Sequence, residues 1–166
     1  MTMKNEDIMW GISNLINLRL SYMQDIAVYK MQQGENIMDQ KQELRVLKNT
    51  LIMAEYTGLN TETVEPFVQA LMDMAKAIQH RYHADWLLGG DLPTIPTSLT
   101  EVRKQVAQSG NEILVGITQQ LKISGGFSIQ DKTLFCQYVQ HEKMTERDKK
   151  WLWQWIAKIK LHDPLI

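Results

Sequence analysis

The chain has little cysteine, little net charge and no long apolar run, and each absence excludes a class of protein. Cys136 is the only cysteine in 166 residues, so an intrachain disulfide and a zinc site built on thiolates are excluded. The formal net charge of −1 gives no overall field that would attract nucleic acid or an anionic membrane. No apolar run approaches the roughly 20 residues that cross a bilayer.

The first eleven residues, MTMKNEDIMWG, lack the apolar centre of a signal peptide. If the protein is exported, we expect its leader to lie outside this numbering. The absence of disulfides suits the cytosol without excluding an oxidising compartment.

Glycine and proline are also scarce, with nine and four residues, which leaves room for long helices. Apolar residues recur at three- and four-residue steps, and no alternation long enough for a strand is present. We therefore predict an all-α protein, a bundle of about six helices with a long N-terminal helix, forming a single domain over residues 1–166. The first five expected helices span residues 5–32, 39–56, 60–88, 98–123 and 129–141. The sixth expected helix follows a capping box at Thr145 and ends before Pro164. A loop is expected over residues 89–98.

Two cations interrupt the apolar face of the predicted first helix. Arg19 and Lys30 are eleven residues apart, about 16 Å along a helix axis, and their directions differ by only about 20°. Charges buried in an apolar stripe are unfavourable unless something anionic meets them. One interpretation is that acidic side chains of other helices pair with them or that they reach the surface. The other is a pocket for an anionic ligand.

The residues after Lys30 favour the pocket. The order is Arg19, Lys30, then Ile37-Met38-Asp39, then Gln42-Glu43 and Val46-Leu47. This ordered set resembles the helical chorismate mutases. The resemblance covers roughly residues 10–123, and the similarity to the exported subclass, periplasmic or secreted, is carried by Ala75-Lys76-Ala77-Ile78-Gln79, Tyr82, Ala84-Asp85-Trp86 and Arg103.

The resemblance implies an isomerase that converts chorismate to prephenate, a reaction of the shikimate pathway and aromatic amino acid biosynthesis. The reaction is an intramolecular Claisen rearrangement that requires no nucleophile, metal or cofactor. The substrate carries two carboxylates, a hydroxyl and an enol ether. Catalysis then consists of holding a compact conformer and stabilising charge on the ether oxygen.

The resemblance also assigns roles to side chains. Arg19 would bind a carboxylate, and Lys30 would reach the ether oxygen and a neighbouring carboxylate. Gln79 would donate its amide N–H to the same ether oxygen. The remaining expected contacts are Glu43 accepting from the substrate hydroxyl with help from Asp39, Gln42 at a carboxylate, and Arg103 as a second arginine supplied by the same chain.

Two of these positions carry an alternative or a departure. Arg103 has a competing interpretation as a surface salt bridge to Glu101 or Asp85. Gln42 stands where the family usually has arginine, so it supplies a hydrogen bond but no charge. Arg45 lies one turn further along, although its direction differs by about 60°.

The resemblance implies a chorismate mutase-like region over residues 5–123, with a helical extension over residues 124–166 packed on it. It also implies a homodimer and a periplasmic or secreted location, with the cytoplasm as the alternative. Neither nucleic acid nor a membrane is expected as a partner.

Two further functions compete with the enzyme. One is a weakened relative that binds a small dicarboxylate, and the other is a structural interaction protein that uses the tryptophan-rich segment 151–155. The spacing His80-x-x-His83 is also compatible with metal ligation, but ordinary histidines are far more frequent.

Overall fold

The computed structural model describes residues 4–95 and 98–163, which form seven α-helices. The predicted loop over residues 89–98 and the stop before Pro164 lie partly outside the described residues, at 96–97 and 164. The all-α prediction is confirmed. The helices are α1 (Asn5–Ser21), α2 (Met23–Gln33), α3 (Gln40–Thr57), α4 (Thr61–Leu87), α5 (Leu99–Ser124), α6 (Ile129–Tyr138) and α7 (Glu146–Ile156).

The predicted first helix is two segments rather than one. The division falls at Tyr22, which keeps right-handed helical dihedral angles, φ −78° and ψ −10°. The Ser21 hydroxyl donates to the carbonyl of Leu18 at 2.6 Å, a bond of the kind that bends helices. Arg19 and Lys30 therefore come from different helices that follow one another closely.

The other helix starts follow from capping side chains. Asp39, Asn60 and Ser98 each accept a backbone N–H at the start of α3, α4 and α5. The predicted capping box at Thr145 and Asp148 is confirmed at the start of α7. The helix ends were predicted less accurately than the starts. For example, α6 stops at Tyr138 rather than at residue 141.

Pro66 lies inside α4, as the sixth residue of the helix. Proline there removes the hydrogen bond to the carbonyl of Glu62. Both residues are exposed, so water can satisfy that carbonyl and the helix continues.

The C-terminal helices pack on the rest of the bundle. Helix α6 contacts α1, and α7 contacts α4 and α6. Arg81 of α4 donates to the carboxylate of Asp148 at 2.6 Å. Trp153 is buried and Trp151 and Trp155 are half-buried, so the tryptophan-rich segment mainly packs inward.

Helix α3 is the element that leaves room for a site. It packs on α4 and α5, yet Ala54 is its only buried residue. Side chains of α3 that pack toward the core, such as Val46 and Met53, are only half-buried because they line an open space. That space opens beside α1, α2, α4 and α5.

Candidate active site

Arg19 lies near the end of α1 with its guanidinium in the interior. The residue is 5 % exposed, and Nη1 donates to the carbonyl of Val106 at 3.0 Å. Its Nε is buried without a hydrogen-bond partner among the described residues. Burial lowers the pKa of Arg19 to about 10. Gly110 admits the side chain, because a Cβ at that position would lie 2.7 Å from Nη1.

Lys30 lies in the last turn of α2 and is 6 % exposed. Its ammonium donates to the carbonyl of Ile37, which fixes Nζ beside the segment that leads into α3. Burial lowers the pKa of Lys30 below the usual lysine value, and Arg103 adds to this effect against the opposite influence of nearby acids. Neither Lys30 nor Arg19 has a carboxylate within 4.0 Å among residues 4–95 and 98–163.

Gln79 extends from α4 and is 4 % exposed. Its Nε2 makes a weak contact with the sulfur of Met23 at 3.6 Å. Its Oε1 has no hydrogen-bond partner among the described residues. An amide buried with so little hydrogen bonding is available to a ligand.

The start of α3 holds three of the predicted residues in one turn. Asp39 caps the helix by accepting from the backbone N–H of Gln42 at 3.1 Å. Glu43 accepts from the backbone N–H of Asp39 at 3.2 Å. The second oxygen of Glu43 lies 2.7 Å from the ammonium of Lys76. These bonds fix the turn and orient the Glu43 carboxylate.

Arg103 reaches the same place from α5. Its Nη2 lies 3.7 Å from the carboxylate of Asp39, and both side chains are partly exposed. The competing expectation of a salt bridge to Glu101 or Asp85 is wrong, since Glu101 accepts from Gln105 and Asp85 pairs with Lys143 instead. Arg103 is thus directed toward the start of α3 rather than along its own helix.

All seven predicted residues line one cavity of about 760 Å³. It lies between α3 on one side and α1, α2, α4 and α5 on the other. Its position explains why α3 buries so little. The predicted residues in its wall are Arg19, Lys30, Asp39, Gln42, Glu43, Gln79 and Arg103.

The sequence interpretation did not assign Lys76 to the site. Lys76 precedes Gln79 by three residues and therefore shares its face of α4. Its ammonium is held between Glu43 at 2.7 Å and Asp73 at 3.3 Å. The three-residue spacing was visible in the sequence, but a lysine at that spacing usually belongs to a solvated face.

Arg45 also lines the cavity, in contact with Gln42. The 60° difference in direction had argued against it. A long flexible arginine side chain compensates for such an angle, so helical direction alone did not exclude the contact.

Comparisons with known proteins identify the family. Residues 11–80 match the family model described as chorismate mutase type II. The chain is 36 % identical over 149 residues to the monofunctional chorismate mutase of Enterobacter agglomerans, covering 90 % of this chain and 82 % of that protein. The chain belongs to the chorismate mutase family. The predicted resemblance is confirmed.

Two further comparisons agree with the chorismate mutase assignment. The chain is 35 % identical over 147 residues to the secreted chorismate mutase of Yersinia pestis, covering 89 % of this chain and 79 % of that protein. The crystal structure of a secreted chorismate mutase from Yersinia pestis superimposes with a TM-score of 0.83 at 33 % identity, covering 90 % of this chain and 97 % of that one. The helical chorismate mutase fold predicted from sequence is therefore confirmed.

The part of the chain that the structure describes offers neither a metal site nor a membrane-spanning helix. There, no three His, Cys, Asp or Glu side chains form a group that could hold a metal ion. His83 instead contacts the carbonyl of Ala27 through Nε2 at 2.7 Å. In the same residues, every helix is too short or too polar to span a bilayer.

Proposed function

We propose that this chorismate mutase family member converts chorismate to prephenate in the cavity between α3 and the other helices. The observation that carries the proposal is the burial of two cations, Arg19 and Lys30, without an acidic partner. Both cations are buried in the cavity wall without a protein carboxylate within 4.0 Å among the described residues. Two uncompensated buried cations are costly to the folded state unless a ligand supplies negative charge. Chorismate is a dianion.

The reaction needs no group from the protein to form a bond. The C–O bond of the enol ether breaks while a new C–C bond forms, so the protein acts by holding the reactive conformer and stabilising negative charge on the ether oxygen. Lys30 and the amide of Gln79 are the donors proposed for that oxygen. Arg19 is proposed to bind a carboxylate through its planar guanidinium.

The remaining side chains are proposed to bind the periphery of the substrate. Glu43 already accepts from Lys76 and from the backbone of Asp39. A carboxylate has about four acceptor positions, so Glu43 retains capacity for the substrate hydroxyl. Arg103 is directed to the same end of the cavity by Asp39 and is proposed as the second carboxylate-binding arginine.

The experiment is the loss of chorismate absorbance with identification of prephenate as product. Wild-type protein is expected to turn chorismate over, and Lys30→Ala and Arg19→Ala are expected to abolish turnover. Lys48→Ala is the matched control, because it removes an exposed cation of α3 that does not line the cavity. Tight binding of a bicyclic dicarboxylate transition-state analogue without turnover would indicate a dicarboxylate-binding relative instead. The absence of both binding and turnover would indicate that the protein has a structural role instead.

We further propose an exported, periplasmic or secreted location and a homodimer. The location is supported by the similarity to a protein named secreted chorismate mutase. Fractionation of the native organism would test the location, and sedimentation equilibrium would test the dimer. Recovery in the cytoplasm, or a monomer at high concentration, would contradict these two proposals.

Residues 124–166 are proposed to form one domain with the chorismate mutase-like helices. The ion pair between Arg81 and Asp148 and the buried side chain of Trp153 support this proposal. One cooperative thermal transition is expected for the full chain. Two separate transitions would contradict a single domain.

A further inference from the structure

Gln42 and Arg45 form a direct contact at the wall of the cavity. The Oε1 of Gln42 accepts a hydrogen bond from Nη1 of Arg45 at 3.0 Å. Both residues line the cavity on α3, one turn apart. Gln42 is also the position at which this chain departs from the arginine usual in its family.

The contact determines how the Gln42 amide is turned. A guanidinium carries only donors, so the amide must present its oxygen to Arg45. The Nε2 group, with its two N–H donors, is then directed away from Arg45. A positive charge behind the carbonyl oxygen also polarises the amide and strengthens those N–H donors.

Lys76 and Arg103, two other cations of the cavity wall, are already compensated, whereas the exposed Lys104 of the wall has no carboxylate within 4.0 Å among the described residues. Lys76 is held by Glu43 and Asp73, and Arg103 lies 3.7 Å from Asp39. Arg45 has no carboxylate within 4.0 Å among residues 4–95 and 98–163. Its charge is therefore available to an anionic ligand, directly or through Gln42.

We infer that Arg45 is a positioning residue that acts through Gln42. It turns the Gln42 amide so that Nε2 donates to a carboxylate of the bound dianion, and it supplies the positive charge that Gln42 lacks. The pair Arg45–Gln42 thus replaces a single arginine. This inference rests on the proposed function of the cavity.

The pair has a distinct signature in kinetics. Arg45→Met is expected to lower kcat/KM about 10-fold, as loss of a charge-assisted contact implies. The change is expected mainly in KM, because a substrate carboxylate is present in both the ground state and the transition state. Arg45→Gln is expected to retain only part of the effect, since it keeps a donor for the Gln42 oxygen without the charge.

A double-mutant cycle tests whether Arg45 acts through Gln42. Gln42→Met removes the amide at similar side-chain length, and in that background Arg45→Met is expected to cost less than 2-fold. Lys48→Met is the matched control, an exposed cation of the same helix outside the cavity, and is expected to leave kcat/KM within 2-fold. Analogue affinity measured on the same variants provides a readout independent of turnover.

Three results would overturn the inference. The first is an Arg45→Met effect of equal size with and without the Gln42 amide. The second is an effect no larger than that of Lys48→Met, while turnover still depends on Lys30; the proposed function would then stand without this inference. The third is wild-type protein that neither turns over chorismate nor binds the analogue, which overturns both.

Discussion

Arg19 and Lys30 are eleven residues apart on successive helices, and both cations are buried in the wall of one cavity. Each is held by a backbone carbonyl, that of Val106 for Arg19 and that of Ile37 for Lys30. Carbonyls orient a cation without neutralising it. The two cations therefore form a site that is prepared for an anion.

Removing either cation should lower activity while raising the stability of the ligand-free protein. Arg19→Met and Lys30→Met are expected to lower kcat/KM by about 100-fold or more, since each removes a preorganised charge. Ligand-free protein is expected to become more stable by about 1–2 kcal/mol, because an uncompensated buried charge is replaced by an apolar side chain. Urea unfolding and chorismate kinetics measure the two effects. Loss of stability in both variants would indicate that the cations have structural roles.

Two glycines of α5 offer a matched pair of substitutions. In Gly110→Ala the new Cβ would lie 2.7 Å from Nη1 of Arg19, at the end of a flexible side chain. The guanidinium is therefore expected to move, lowering kcat/KM about 10- to 100-fold while stability is kept or slightly raised.

In Gly116→Ala the Cβ would lie 2.9 Å from Cγ1 of Ile12, which is fully buried between α1 and α5. This variant is expected to lose about 1–2 kcal/mol of stability and to keep kcat/KM within a few-fold. The same pattern in both alanine variants, whether in stability or in activity, would contradict the assigned position of Arg19.

The alkaline pH dependence of activity should report the buried cations. Burial lowers the pKa of Lys30 below its usual value and that of Arg19 to about 10. The protonated forms bind the dianion, so kcat/KM is expected to be flat near neutral pH and to fall as pH rises through these pKa values. Chorismate itself stays fully ionised over this range. A rise in kcat/KM at alkaline pH would show that an unprotonated base, rather than a cation, drives the reaction.

Gln42→Arg is expected to raise activity modestly. A charged hydrogen bond contributes about 1.5–3 kcal/mol against roughly 1 for a neutral one, but Arg45 already supplies part of the charge. We expect kcat/KM for chorismate to rise about 2- to 10-fold in Gln42→Arg. The same assay on Gln42→Lys provides a comparison with a second cation at this position. An unchanged or lower value would refute the idea that position 42 lacks a charge.

Much of the fold was predictable because local signals and global packing agree. Capping residues such as Asp39 and Asn60 mark helix starts, and Gly58, with φ 97°, marks an end. The division at Tyr22 was not predictable, because the apolar pattern continues across it. A hydroxyl bond of Ser21 to the backbone lies next to the division, and such a bond leaves hydrophobic periodicity unchanged.

The site was predictable where a residue contradicts its surroundings. Arg19 and Lys30 are cations in an apolar stripe, and this is visible from the local sequence periodicity alone. Lys76 and Arg45 lie among polar neighbours, so only the approach of another helix or the reach of a long side chain gives them a place in the cavity. The contact of Gln79 with Met23 likewise depends on tertiary packing between α2 and α4.

The most direct test of the account is a crystal structure of the protein with a bicyclic dicarboxylate analogue of the rearrangement. We expect the analogue in the cavity, with its ether oxygen within hydrogen-bond distance of Lys30 Nζ and the Gln79 amide, and a carboxylate on Arg19. An empty cavity at saturating analogue, or an analogue bound away from Arg19 and Lys30, would contradict it.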